Sequence, residues 1–138
     1  MTTSSDRQYD ALAQIMQTQR LDFIQVDYAI DNRNAADRLL PLAADRGQAV
    51  LINLPFGRSR VFQRVRDRAI PDWGKEIAAT TWAQVFLKYI VSHPAVTCVI
   101  PGTEKVEYVI DNLGAARGPM PDAAMRKKIE VFFDGLTA

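Results

Sequence analysis

Gly102 and Thr103 are the residues of this chain best placed to do chemistry. They follow an Ile-Pro pair and precede Val106, Val109, Ile110 and Leu113. That apolar set has the i, i+3, i+4, i+7 spacing of a helix, so the pair opens one. The free amides of a first helical turn, and the positive end of its dipole, suit a phosphate. A second charged feature is the run Arg58, Arg60, Arg64, Arg66 and Arg68. Guanidinium groups this dense can grip phosphates or a nucleic-acid backbone. Asp67 and Asp72 interleave with them, and 17 basic residues stand against 16 acidic ones. That balance reads as a solvated loop and argues against nucleic acid. The chain has one histidine, His93, and one cysteine, Cys98. Two such residues cannot build a Cys/His metal site, and one thiol cannot close an internal disulfide. Four further residues could be mistaken for catalytic groups. Tyr28 closes an apolar stretch and reads as core or mouth packing. Lys88 lies on an outer helix face and reads as solvated. His93, next to Pro94, reads as a capping or surface residue. Cys98, between Thr97 and Val99, reads as a buried small apolar side chain.

The elements that must carry these residues alternate. YDALAQIM at 9–16 has Leu12, Ile15 and Met16 at helical spacing. LDFIQVDYAI at 21–30 is dense in β-branched and aromatic residues and predicts a strand. A helix follows over 33–46, with Leu39, Leu40, Leu42 and Ala43 as its apolar stripe and Gly47 at its end. Pro41 inside it predicts a kink or a late start to regular hydrogen bonding. Residues 49–54 (AVLINL) form a second strand, and 58–76 a long loop with a helical turn. Thr81 and Gln84 have capping-box spacing at the head of a helix carrying Trp82, Phe86 and Ile90. Residues 96–100 (VTCVI) make a third strand, the Val106 helix follows, and Gly118-Pro119 end it. Pro121 fits the first turn of a last helix with Met125, Ile129 and Phe132.

Strands that are apolar on both faces and separated by helices belong to a parallel sheet covered on two sides. The expected class is α/β, a partial parallel (β/α)8 TIM-type barrel holding about the last three strands with their helices. A full barrel takes about 250 residues, so residues 1–138 read as a single half-barrel domain. No apolar run approaches the ~20 residues of a membrane helix, and MTTSSDRQYD is no signal peptide. With one cysteine, these features place the chain in a reducing cytoplasm.

The segment CVIPGTEKVEYVIDN, residues 98–112, resembles the last βα unit of aldo/keto reductases. The helix opened by Thr81 and the following SHPAV are similar to the family's penultimate helix and its approach to strand eight. LINLPFG at 51–57 resembles the end of strand seven, and FIQVDY at 23–28 the end of strand six. The resemblance implies hydride transfer from a reduced nicotinamide to a carbonyl, with a tyrosine as general acid. It also implies an NADP or NAD site. By position, Gly102, Thr103, Lys105, Asp111 and Asn112, with Tyr108 nearby, belong to the adenosine end. Gln25 matches a glutamine that contacts the nicotinamide carboxamide, and its alternation with Phe23 faces it into the barrel. Asn53 stands where many relatives place a stacking aromatic, and Phe56 and Gly57 fall in a loop along the pyrophosphate. Many relatives carry a basic residue at Tyr108 and some a lysine at Gly102, which weakens the case for a 2′-phosphate.

Thr2-Thr3 fit the end of the turn after a fifth strand. The family's catalytic Asp, Tyr, Lys and His precede that turn, so no catalytic residue is assigned and the chain alone is expected to be inactive. The expected partners are a nicotinamide dinucleotide and either a second copy or the other half of the barrel. The alternative is a phosphate- or dinucleotide-binding or interaction module that completes its sheet with another chain.

Overall fold

The computed structural model describes residues 1–136. Helix α1 (Tyr9–Thr18) leads to strand β1 (Phe23–Asp27), a 3-10 turn (Asn34–Asp37) and α2 (Leu39–Asp45). Strand β2 (Ala49–Asn53) leads to the short helices α3 (Arg60–Arg64) and α4 (Trp73–Glu76). Then come α5 (Trp82–Val91), β3 (Cys98–Val99), α6 (Val106–Gly114) and α7 (Ala123–Asp134). The sheet order is β1-β2-β3 and both pairings are parallel. This is the βαβ alternation that the sequence predicts. Among the described residues no helix is long and apolar enough to cross a membrane.

Local chemistry accounts for most boundaries. Regular α-helix starts late, at Leu39, after a break at Arg38 (φ −141°, ψ −51°). Pro41 therefore falls in a first turn, where its missing N–H costs little. Thr81 caps α5, its hydroxyl accepting the Gln84 amide at 3.2 Å. Gln84 reaches back one residue further than a capping box requires, its Oε1 accepting the Thr80 amide at 2.9 Å. The last helix begins after Asp122, whose carboxylate accepts the Met125 amide. Pro121 thus precedes the cap and does not occupy the first turn.

The sheet has two unlike faces. Ile24, Val26, Val50 and Ile52 are fully buried against the helices. By alternation Phe23, Gln25, Asp27, Leu51 and Asn53 share the other face, the one a closed barrel turns inward. There Phe23 is 53% exposed, while Gln25, Leu51 and Asn53 are half-buried. The N-terminal segment covers part of this face's outer edge. Thr2 bridges Gln25 in parallel, and the Thr3 hydroxyl donates to Asp27 Oδ1 at 2.8 Å.

At the other end the sheet stays open. β3 is shorter than the expected 96–100 and, among the described residues, pairs only with β2. Cys98, expected to be buried, is exposed, because no further strand lies beside it among the described residues. The stripe on α6 is uncovered as well: Val106, Ile110 and Leu113 are 71%, 66% and 60% exposed. Its periodicity is that of a packed helix, but nothing among the described residues covers this stripe.

Candidate functional site

The loops after β2 and β3 and the N-termini of α5 and α6 enclose a groove of about 610 Å³. This volume suits a small ligand or part of a cofactor. Phe56, Gly102, Thr103, Tyr108, Asp111 and Asn112, six of the residues singled out in sequence, line it together. Sequence reasoning missed Ser59, Phe62, Thr81, Trp82 and Ala83 on its walls. The aromatic content of 56–62 and the apolar face of α5 are visible in the sequence. Their meeting over one groove depends on the chain crossing.

α6 is fixed at this groove by a polar clasp. Asp111 Oδ2 accepts the Thr81 hydroxyl and Oδ1 accepts Gln84 Nε2, each at 2.8 Å. Gly114 permits the close approach, since a Cβ there would lie 2.6 Å from Gln84 Nε2. Asp111 thus spends both oxygens on joining α6 to α5. At the helix head, Lys105 provides no side-chain cap, and the Thr103 hydroxyl accepts the Lys105 amide at 3.3 Å. The first-turn amides of α6 have no side-chain acceptor, as an anion site requires. The Lys105 ammonium lies 5.1 Å from the Tyr108 ring centroid.

Four other sequence-predicted residues do not line this groove: Lys105, beside it at the head of α6, and Gln25, Asn53 and Gly57, which stand apart. Gln25 and Asn53 are on the inward sheet face, where Asn53 Nδ2 donates to the Thr3 carbonyl at 2.8 Å and its Oδ1 is buried without a partner. Gly57 opens a left-handed run, with Gly57, Arg58 and Ser59 at φ 54°, 54° and 71°. Only glycine fits its place, because a Cβ would sit 2.6 Å from Asp31 Oδ2. Such strain held at the end of a strand is characteristic of ligand-binding loops.

The arginine run divides between structure and solvent. Arg60 pairs with Asp31 at 3.0 Å. Arg64 donates to the Phe133 and Leu136 carbonyls at 2.9 and 2.8 Å and lies over the Phe133 ring. Arg58, Arg66 and Arg68 are exposed.

Lys88 corrects the expectation of a solvated side chain. It is fully buried, and its ammonium donates to the carbonyls of Arg117 and Pro119. Burial lowers its pKa from the ordinary lysine value. The turn after α6 folds back over this face of α5, so Lys88 anchors that turn.

His93 is half-buried. Its Nδ1 accepts the Ala95 amide at 3.2 Å in the turn after α5, and its ring meets Tyr28 edge-on. Burial, and then the Arg126 charge, hold its pKa below the ordinary value. The folded chain therefore holds the imidazole proton less tightly than the unfolded chain, which takes it up below about pH 6.5. Below that pH the unfolded state binds more protons, so stability falls on acidification. Urea midpoints are expected to drop from pH 7 to pH 5, and His93→Asn to flatten that decline. An identical slope in the variant assigns the acid sensitivity to other groups.

The model of the aldo/keto reductase family matches residues 4–130. The chain belongs to the aldo/keto reductase family. Among solved structures it is similar to an aldo-keto reductase from Bacillus halodurans in its holo form, with TM-score 0.69 and 17% identity. That match covers 94% of this chain and 48% of the other. The chain therefore has the fold of part of such a barrel and spans about half the length of that relative. No curated protein matches it.

Proposed function

We propose that this chain forms the dinucleotide-holding share of an NAD(P)-dependent oxidoreductase barrel and does not reduce carbonyls by itself. The observation that carries the reading is the groove that gathers Phe56, Gly102, Thr103, Tyr108, Asp111 and Asn112 beside an uncapped helix head. A phosphate of the adenosine half sits at the Gly102–Thr103 turn, facing the first amides of α6. Gln25 and the Gly57 loop serve the remainder of the cofactor from the inward sheet face. Asn112 faces the ligand, while Asp111 holds the wall in place. In this family the bound nicotinamide supplies the hydride. Tyr28, Tyr89 and Lys88 are tied up in the fold and supply no acid to a carbonyl. A free, exposed Cys98 fits a reducing, cytoplasmic setting.

Calorimetric titration with NAD and NADP is expected to give a dissociation constant of about 100 μM or weaker, ~5.5 kcal/mol. Exchanging Thr103 and Lys105 together for alanine should weaken binding further, and an unchanged affinity moves the site elsewhere. NADPH oxidation with several aldehydes is expected to stay at background. Turnover that copurifies with the chain and disappears in a Tyr28 variant refutes the assignment of an inactive share.

A further inference from the structure

We infer that two copies of this chain join through α6, antiparallel about a two-fold axis near Val109–Ile110, to form a weak isologous dimer.

α6 turns its polar side to the body of the fold and its apolar side to solvent. Asp111 and Asn112 line the groove beside α5, and Asp111 is clasped by Thr81 and Gln84. Val106 and Ile110, one turn apart on the helix, line neither of the two grooves that flank α6. They are 71% and 66% exposed, Leu113 continues their stripe, and no residue of α6 is buried. An amphipathic helix held by its polar side leaves an apolar stripe for another surface. A chain that extended the sheet beside β3 would meet Val109 and Leu113, which border the groove there. It would leave Val106 and Ile110 wet.

Two observations make the other surface a second α6. The remaining exposed large apolar side chains, such as Phe23, Ile100 and Val131, stand on different elements. Among the described residues they offer no second stripe for a head-to-tail contact, whereas an isologous contact needs one patch paired with itself. The charges fit that pairing. Glu104 and Glu107 are exposed at the head of α6, and Arg117 is exposed four residues after Leu113. Lys105, also at the head, turns to the Tyr108 ring on the groove side. An antiparallel pair brings the acidic head of each helix to the basic end of its mate and opposes the two dipoles. A parallel pair would set like charges together. One short helix supplies roughly half of the ~800 Å² that a standard interface covers on each partner. The dimer is therefore concentration-dependent, with a dissociation constant of about 10 to 100 μM.

Sedimentation velocity on the intact chain, from about 1 to 500 μM, should show monomer passing to dimer across that range. Val106→Glu with Ile110→Lys should weaken association at least about tenfold. Both side chains are in solvent, so the circular dichroism spectrum should not change. Arg117→Glu should weaken association about fivefold, and exchanging Glu104 and Glu107 for lysine in the same chain should restore it. In a Cys98→Ser background, Ile110→Cys should give a covalent dimer on oxidation with diamide. Near the axis of two packed helices the paired positions come within disulfide reach. Val131→Cys on α7 should not crosslink. A chain that stays monomeric throughout overturns the inference and leaves the stripe to a chain of different sequence. Open-ended larger particles, or a dimer indifferent to the Val106 and Ile110 exchanges, overturn it as well. So does a dimer that crosslinks through native Cys98 but not through Ile110→Cys, which moves the contact to the β3 edge.

Discussion

Light scattering coupled to size exclusion is expected to find this chain in particles larger than one copy, or in a partly molten form, and not as a compact monomer. The cause is the uncovered end of the sheet. β3 pairs on one side only, and beside it lie the exposed Cys98 and Ile100, the latter 43% exposed. Across an apolar groove of about 560 Å³ stands α6, with Val109 and Leu113 facing that groove and Val106 and Ile110 in solvent. Phe23 is wet on the inward face. Open edges with apolar flanks pair with other chains. If about 400 Å² of such surface becomes covered, the gain is about 10 kcal/mol at ~25 cal/mol per Å². That is comparable to the whole stability of a typical domain, about 5–15 kcal/mol. A second copy, or a chain carrying the rest of a barrel, can supply the cover. Exchanging Val106 for Glu and Ile110 for Lys alters side chains that are already in solvent. The pair should therefore shift the particle toward monomer without unfolding it. Hydrogen exchange on the three strands completes the test: a monomer with β1, β2 and β3 all strongly protected defeats this expectation.

Arg126→Ala is expected to cost about 3 kcal/mol of stability, more than any surface substitution. Arg126 reaches from α7 into a buried junction between β1 and α5. One amino group donates to the Tyr89 carbonyl and to Ser92 Oγ, and the other donates to Tyr28 Oη at 3.0 Å. Its guanidinium also lies 4.3 Å from the Tyr89 ring centroid. Tyr28 and Tyr89 are 1% and 0% exposed, with hydroxyls 3.2 Å apart. Tyr89 donates its proton to Glu130 Oε1 at 2.7 Å, so the bond between the tyrosines must use the proton of Tyr28. The order is Arg126 to Tyr28, Tyr28 to Tyr89, Tyr89 to Glu130. Burial, followed by Tyr28 and Glu130, pushes the Tyr89 pKa far up, so the hydroxyl stays protonated. Burial alone would raise the Glu130 pKa. The hydrogen bonds from Tyr89 and Lys127, with the charge of Arg33, outweigh it and keep the carboxylate ionised. Truncating Arg126 leaves the first oxygen of this chain without its donor and frees the start of α7 from α5. Arg126→Lys keeps the charge but loses the planar fork, so it should recover only part of the loss. Urea unfolding of the three proteins measures both effects. A cost below about 1 kcal/mol for the alanine variant shows that water replaces the guanidinium without penalty.

Much of the architecture was legible in the sequence, because it is written in local rules. Apolar spacing located α1, α5, α6 and α7, and the alternation of strands with helices predicted a parallel sheet. Pro41 forecast the late start of α2, and Thr81 announced its own cap. The residues at 98–112 pointed to the family, and six site candidates came together around one groove. What only the tertiary structure decided was which faces are covered and which polar groups are already in use. Periodicity shows that Val106, Val109, Ile110 and Leu113 share a face, but not whether anything packs on it. Cys98 reads as buried in a strand and is exposed because β3 is an edge. Lys88 reads as solvated and is buried because carbonyls about thirty positions later fold back to meet its ammonium. Asp111 reads in the sequence as a cofactor contact, yet Thr81 and Gln84 already hold both of its oxygens. Helix and strand signals arise from neighbours within a few residues. Burial and the commitment of a hydrogen-bonding group depend on long-range partners, which only the folded chain brings together.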